Sequence, residues 1–491
     1  MALNTNIGPE RVQVFDVPLG TVQVPGAATS VTAFLISTSK VGAPVNVPTR
    51  VTDLGAFEDA FGTPDEVNNE AYYAVQGYYD NAGTGAVAII VNVGSAPTAT
   101  DWIGSAADSS GLRALDAQDD LGLVTIPGLP LETAWTVQPA LIDYTETIRA
   151  LFGSTLTTSF SLLGMPAEIN RANSETTIHT TKFKSVAGAG PYVITVEDVV
   201  AGGSADLSAV TAGMILTDAS DSFRVVVTVV NDTNDEITVA TDPSGSFSAG
   251  DDVLIKMPSA VSYKEEIVNN ASRTAAWFFN QLIVTDRSSA ASPGDVINVD
   301  NIGHVAGVMA RIAANTSIGG VSHAPAGIQY AGISGILGLG LALSERLDGE
   351  PLRLNFINRL TSFPGAGNVI FGGYTADSGT SPIYTADEQL IQVMRSLQFI
   401  KASVEPGLRA FLWENFSPQT QSEVERAILS FLRNNSYLFP AGLPEASQFR
   451  VLRVAPTQAE LDSGLLKVRV LVRPNKAVRF IEISLEFPLQ S

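Results

Sequence analysis

A few residues before the C-terminal end, Ile481, Ile483, Leu485 and Phe487 fall on one face of an extended run, with Glu482, Ser484 and Glu486 on the other. A strand this regular needs partners for its backbone N–H and C=O groups. It must therefore join an open edge of its own sheet or the edge of another molecule. A chain ending this way is expected to be one half of an interface.

The region leading to that strand, 385–480, is expected to be an α+β unit. Leu390, Val393, Leu397 and Ile400 recur at helical steps, with Thr385 or Asp387 as the cap. The apolar run Leu408 to Trp413 predicts a buried strand. Ser417-Pro418 then supplies an N-cap and a first-turn proline to a helix carrying Val424, Ile428, Phe431 and Leu432. Gln448 to Val454 and Leu466 to Val472 predict two strands that pair across the turn at Asp462-Ser463-Gly464. The strand at 481–491 would then be a C-terminal arm.

The first 24 residues hold Val12, Val14, Phe15 and Val17 in loose alternation, broken by Pro18 and Gly20. They are too few to build a core. The segment is either a flexible tail or a strand lent to a neighbour. Residues 25–110 predict a small α/β unit: a strand over Ser30 to Thr38, a helix through Leu54, Phe57 and Phe61 closed by Gly62, a helix from Asn69 to Tyr79, and a buried strand from Ala86 to Val93. The alternation restarts at 111–182 and resumes at 259–384, where a helix near Tyr263 is expected to carry Ala275, Ala276, Trp277 and Phe278 ahead of a strand from Leu282 to Val284.

Between these halves, 183–258 has β-branched runs and turns rich in Gly, Asp, Asn and Ser, which predict an inserted small β-sandwich or barrel. It holds eleven acidic residues against three basic ones, a net charge of −8 within a chain total of −21. An insertion with adjacent ends disturbs its host least, so the module should hang from the central unit at the surface. Its Asp-rich loops lack the glycine and spaced Glu of a calcium loop, and are expected to be solvated rather than metal-binding.

With 491 residues, 45% of them apolar, the chain can bury sizeable cores. It has no cysteine, which removes disulfides and thiolate metal sites. Its acidity disfavours direct nucleic-acid binding. The seven Lys and Arg of Phe449 to Arg479 are either a solvated sheet face or a dock for an acidic neighbour. The N-terminus has no basic lead followed by a long apolar run, so no signal peptide is expected. Ile328 to Leu343 is interrupted by glycines and shorter than the ~20 residues of a spanning helix, so it is expected to be a core segment.

Several segments together resemble the contractile tail sheath proteins. They are Thr29 to Leu35, Gly42-Ala-Pro-Val-Asn-Val-Pro, Tyr72 to Gly83, Gly303-His304-Val305-Ala306-Gly307-Val308-Met309-Ala310-Arg311, His323 to Gly327, Phe411-Leu412-Trp413-Glu414-Asn415, and Val472-Arg473-Pro474 leading into Phe480-Ile481. They stand in that family's order. Tyr374 occupies a place where the family often has arginine, so the role of that arginine is not carried over.

The resemblance implies a mixed α/β, multidomain sheath protomer. Its expected partners are other copies of itself in stacked hexameric rings, a tail tube, and baseplate and tail terminator proteins. It implies assembly in a host cytoplasm, residence in a virion, and contraction that drives the tube through a cell envelope. A bacterial injection device or bacteriocin is the alternative within the same class. No cofactor, metal or membrane insertion is implied. The subunit-contact residues are expected to be Val12, Val14, Phe15, Val17, Ile481, Ile483, Leu485 and Phe487.

An alternative of another class is an α/β hydrolase. Sheath central domains have been likened in topology to subtilisin, and Asp286, His304 and Ser381 stand in that protease's order. Their surroundings argue against it. His304 precedes Val-Ala-Gly, and Ser381 precedes Pro382 rather than opening a helix. Neither His179, His304 nor His323 has a second ligand type at helical spacing, as a zinc pair would.

Overall fold

The computed structural model describes residues 24, 26, 30–149, 158–199, 205–377, 386–415, 417–455, 457–459 and 464–477. All eight expected contact residues of the two arms, and Ser381, lie outside them. The chain divides into a smaller unit, 1–26 with 402–436 and 442–473, and a larger unit made of the rest.

The larger unit is organised by strands β1 (Thr32–Ile36), β2 (Thr49–Val51), β3 (Ala88–Asn92), β4 (Leu123–Thr125) and β5 (Phe160–Gly164), which share one sheet with three later strands. β1 pairs in parallel with β3 on one side and β4 on the other, and β4 pairs in parallel with β5. Residues of one strand turn alternately to two apolar layers. Ala33 and Leu35 belong to one, Phe34 and Ile36 to the other. Both faces are covered, so these strands appear in the sequence as unbroken apolar runs.

Six strands follow: β6 (Thr176–Ala187), β7 (Tyr192–Glu197), β8 (Ile215–Asp218), β9 (Arg224–Asn231), β10 (Glu236–Val239) and β11 (Asp252–Met257). They form a closed barrel in the order β10-β7-β6-β11-β8-β9. Its first and last strands pair with each other, Met257 opposite Thr176, so the chain enters and leaves at one place. Arg224 sits at that root, donating to Glu266 at 2.8 Å, to Asp221 at 2.7 Å and to Glu175. Asp242 and Asp251 hold turns, accepting from Ser244 N and Ser248 N, while Asp232 ties two segments together by accepting from Leu207 N at 2.6 Å.

After the barrel the chain returns to the main sheet with β12 (Ala275–Phe279). This corrects the helix expected over Ala275 to Phe278. The five residues are fully buried between β5 and a further parallel strand, and a short run buried on both faces carries no periodicity to separate strand from helix. β13 (Leu282–Thr285), β14 (Val296–Val299) and β15 (Gly338–Leu339) make a three-stranded sheet. β16 (Ile357–Phe363) pairs in parallel with β12, and β17 (Gly367–Phe371) closes the main sheet by pairing antiparallel with β16. The order is β17-β16-β12-β5-β4-β1-β3-β2. The boundary expected near residue 110 therefore runs through one continuous sheet.

Two helices over one face, Asn69–Ala82 and Ile302–Ala314, pack through glycine. A methyl group at Gly303 would collide with the backbone of Ala74, one at Gly307 with Tyr78 O, and one at Gly77 with the His304 ring. The Ile328 to Leu343 segment is core only in part, with Ile333, Ile336, Leu339, Leu341 and Leu343 half-buried against the two apolar layers. Ala331 is buried, but Ile328 and Leu337 are more than half exposed.

The smaller unit contains the C-terminal part of the helix Ile391–Gly407, the helix Pro418–Asn434, and the antiparallel pair β18 (Phe449–Arg453) and β19 (Val468–Val472). Ser417 caps the second helix, its hydroxyl accepting from Thr420 N at 3.1 Å, with Pro418 in the first turn. Val424, Ala427, Ile428, Phe431 and Leu432 are its buried face, one helical stripe as the spacing predicts. Leu408 to Trp413 is not the expected buried strand. Leu408–Phe411 is a 3-10 turn that continues the preceding helix, and Leu412 and Trp413 stand in the open. No described helix is long and apolar enough to cross a membrane.

Candidate functional site

The hydrolase alternative fails on geometry at the residues the structure describes. His304 is buried inside the helix Ile302–Ala314, its ring laid over Gly77, and its Nδ1 has no hydrogen-bond partner. Burial alone holds its pKa down to about 4. Asp286 accepts instead from the Tyr73 hydroxyl at 3.0 Å and from Ser288 N at 2.9 Å, and its carboxyl is held below the usual range first by that Ser288 backbone bond. The Asp–His bond that orients a triad is not made. His304 is a packing residue at a glycine seam.

The same seam begins at two buried carboxylates. Asp300 N donates to Glu70, while Asp300 accepts from Gly128 N at 3.2 Å and from Ile302 N at 3.3 Å. Burial, reinforced by the nearby Asp300, pushes Glu70 up to about 8, and burial pushes Asp300 to about 6. They join the starts of the two helices, 69–82 and 302–314. Among the described residues no three metal-ligating side chains stand together.

The smaller unit offers a different kind of site. β18 and β19 pair only with each other among the described residues, and no other described strand lies along either outer edge of this sheet. Its inner face sets Phe449 against Val472 and Val451 against Val470; its outer face sets Arg450 against Leu471 and Leu452 against Arg469, all exposed. Of the basic run, Arg453 is turned to Glu425 at 2.6 Å on the 418–434 helix, whereas Arg450 and Arg469 face outward. An isolated two-stranded sheet is marginal in water unless it packs against a helix or gains further strands, and here its inner face packs on the 418–434 helix.

Beside the sheet lies a groove of about 640 Å³, lined by Leu408, Phe411, Val424, Ile428 and Val470, with Trp413 also lining it. Trp413 is fully exposed and has a backbone φ of 72°, a left-handed conformation that costs a bulky residue on the order of 1–3 kcal/mol. The sequence flagged the Phe411 to Asn415 segment by resemblance but placed Phe411 to Trp413 in a buried strand, so their exposure went unread. In the larger unit, the loop segment with Val41, Val45 and Val47 also presents valines to solvent. Unpartnered apolar side chains grouped in this way mark contact surfaces.

No protein-family model matches this chain, and no curated protein matches it in sequence. Solved structures do match, over almost their whole length, and they define the class: this chain has the fold of contractile sheath subunits. It is similar to a chain of the anti-feeding prophage (AFP) baseplate, with 17% identity and a TM-score of 0.57, covering 99% of this chain and 100% of that one. Its TM-score is 0.59 to a chain of the AFP helical sheath in the contracted state, with 17% identity and 98% and 99% coverage. The PVC sheath complex of an extracellular contractile injection system, also contracted, gives 0.59 at 14% identity, covering 100% of this chain and 99% of that one.

Proposed function

We propose that this chain is the protomer of a contractile sheath, stacking as hexameric rings around a tube and shortening to drive that tube through a target envelope. The observation that carries the reading is the end-to-end likeness to sheath subunits. The outer edges of the β18–β19 sheet, along which no other described strand lies, support a means of joining subunits. Val12 to Val17 and Ile481 to Phe487 of neighbouring copies would add as strands there. A seven-residue strand makes three or four ladder bonds worth about 1 kcal/mol each, so one edge contributes only a few kcal/mol and the lattice sums many. Rigid bodies could then rotate while these tethers persist.

Within that class, the neighbours are parts of a prophage-derived particle and an extracellular injection system. They favour an injection device at least as much as a phage virion. Baseplate, tube and terminator proteins are the expected partners in either.

Negative-stain electron microscopy of the purified chain, with size-exclusion chromatography over a range of concentrations, tests this. Tubes or stacked rings are expected, if necessary on added tube protein. A monomer at every concentration, with and without the tube, would end the sheath reading.

A further inference from the structure

The groove of the smaller unit has an occupant within reach. Val24 lies against Gly407: a methyl group on that glycine would meet both Val24 γ-carbons at 2.8 Å. The next residue, Leu408, already lines the groove. The first 23 residues therefore run off from a point at the groove's own wall, and their apolar residues Val12, Val14, Phe15 and Val17 have the same need to leave water as the groove lining.

We propose that before assembly each copy covers this groove with its own N-terminal segment, Val12 to Val17. Reach permits it. The seven steps from Val24 back to Val17 span up to about 23 Å when extended, and the segment can fold back well inside that length. Concentration favours the same chain over a neighbour. A tether this short holds the segment at roughly millimolar effective concentration, far above that of a second copy in dilute solution. Val468 and Val470 also line the groove and belong to β19, so a segment lying there borders a strand that, among the described residues, pairs only with β18, as well as apolar side chains.

The consequence rests on the sheath reading: a segment held in place on its own chain cannot be given to a neighbour. The fold-back would keep free protomers from polymerising until the growing lattice competes the segment away. The fold-back itself does not depend on that reading.

The chain has no cysteine, so introduced thiols can be read without background. The test pairs Val14→Cys with Gln421→Cys, and separately with Leu465→Cys, and oxidises dilute monomer. Gln421 and Leu465 both line the groove. An intramolecular disulfide in at least one pair is expected; none in either, or covalent dimers only, would overturn the proposal. Hydrogen exchange on the unmodified chain and on one lacking residues 2–20 gives a second reading that needs no disulfide. Exchange over 464–472 should rise about tenfold on deletion, with the main sheet unchanged. Equal exchange would overturn the proposal even if the sheath reading holds. Failure to form tubes would leave this result standing and remove only its consequence.

Discussion

The largest and the smallest sheet of this molecule are built in opposite ways. The eight-stranded sheet runs parallel through its centre and closes each side with a strand paired antiparallel, β2 at one end and β17 at the other. Its two faces are filled by separate apolar layers. The β18–β19 sheet has, among the described residues, two strands with no further strand on either side, and an outer face carrying Leu452 and Leu471 beside Arg450 and Arg469. The first arrangement covers both its faces within one chain. The second packs its inner face on the 418–434 helix and leaves its outer face to solvent, and the proposed assembly would use that margin.

The sharpest way to break that contrast is at the glycine seam. Gly303→Leu forces a side chain into the Ala74 backbone and should cost at least about 4 kcal/mol, abolishing the cooperative unfolding transition of the larger unit in calorimetry. A near-native melting temperature would mean the two helices can part, and that the larger unit is less self-sufficient than its packing implies.

Removing 481–490 should do the reverse: no polymer in the electron microscope, with the melting temperature within a degree or two of the intact chain. Normal tubes would show that donated strands do not join the subunits. Ile483→Asp, a milder form, should weaken assembly without abolishing folding, and unchanged assembly would count against the assignment of Ile481, Ile483, Leu485 and Phe487 to a buried face.

pH separates the two units by a smaller margin. Glu70 is raised from 4.5 to about 8 and Asp300 from 3.8 to about 6, so the folded larger unit holds protons that the unfolded chain has released. Their contribution is complete below the unfolded values and is lost as pH rises through the folded ones, with Glu70 finishing near pH 8. His304 acts oppositely: lowered from 6.5 to about 4, it contributes above pH 6.5 and loses that contribution as pH falls towards 4. Between pH 6.5 and 8 Glu70 should therefore dominate, with a fall in stability on the order of a few kcal/mol in denaturant titrations. Glu70→Gln should flatten that window, and an unchanged slope would remove Glu70 as its source.

The smallest effect on folding is expected at Trp413. Being fully exposed, its replacement by alanine should change stability by less than about 0.5 kcal/mol in denaturant melts, while weakening tube formation at limiting concentration. Loss of several kcal/mol would instead make it a structural residue.

Much of the fold was legible where local rules operate. Ser417-Pro418 and the stripe from Val424 to Leu432 located a helix and its buried face, because a cap and a 3.6-residue period are properties of neighbouring residues. Gly62, with φ of 109°, ended the first helix as expected, and the alternation in Leu466 to Val472 marked a strand. The β-branched runs and turn residues of 183–258 located a β module whose closure into a barrel was one of two open outcomes.

Ala275 to Phe279 could not be assigned this way, since a run buried on both sides carries no period. Nor could the exposure of Leu412, Trp413, Ile328 and Leu337. Apolar character says what a residue would gain from burial, not whether this chain supplies the cover. The sheath-like wording of Gly303 to Arg311 was visible in the residues, but its purpose was not. That Gly303 and Gly307 admit another helix, and that His304 is packed against Gly77 rather than paired with Asp286, depends on residues more than two hundred positions away coming together. By itself the amino-acid order determined the periodic elements, the Ser417-Pro418 cap and the resemblance, because those depend on neighbours along the chain. Which apolar residues form core and which remain as contact surface was decided only by the tertiary structure, because burial is a property of what packs across the fold.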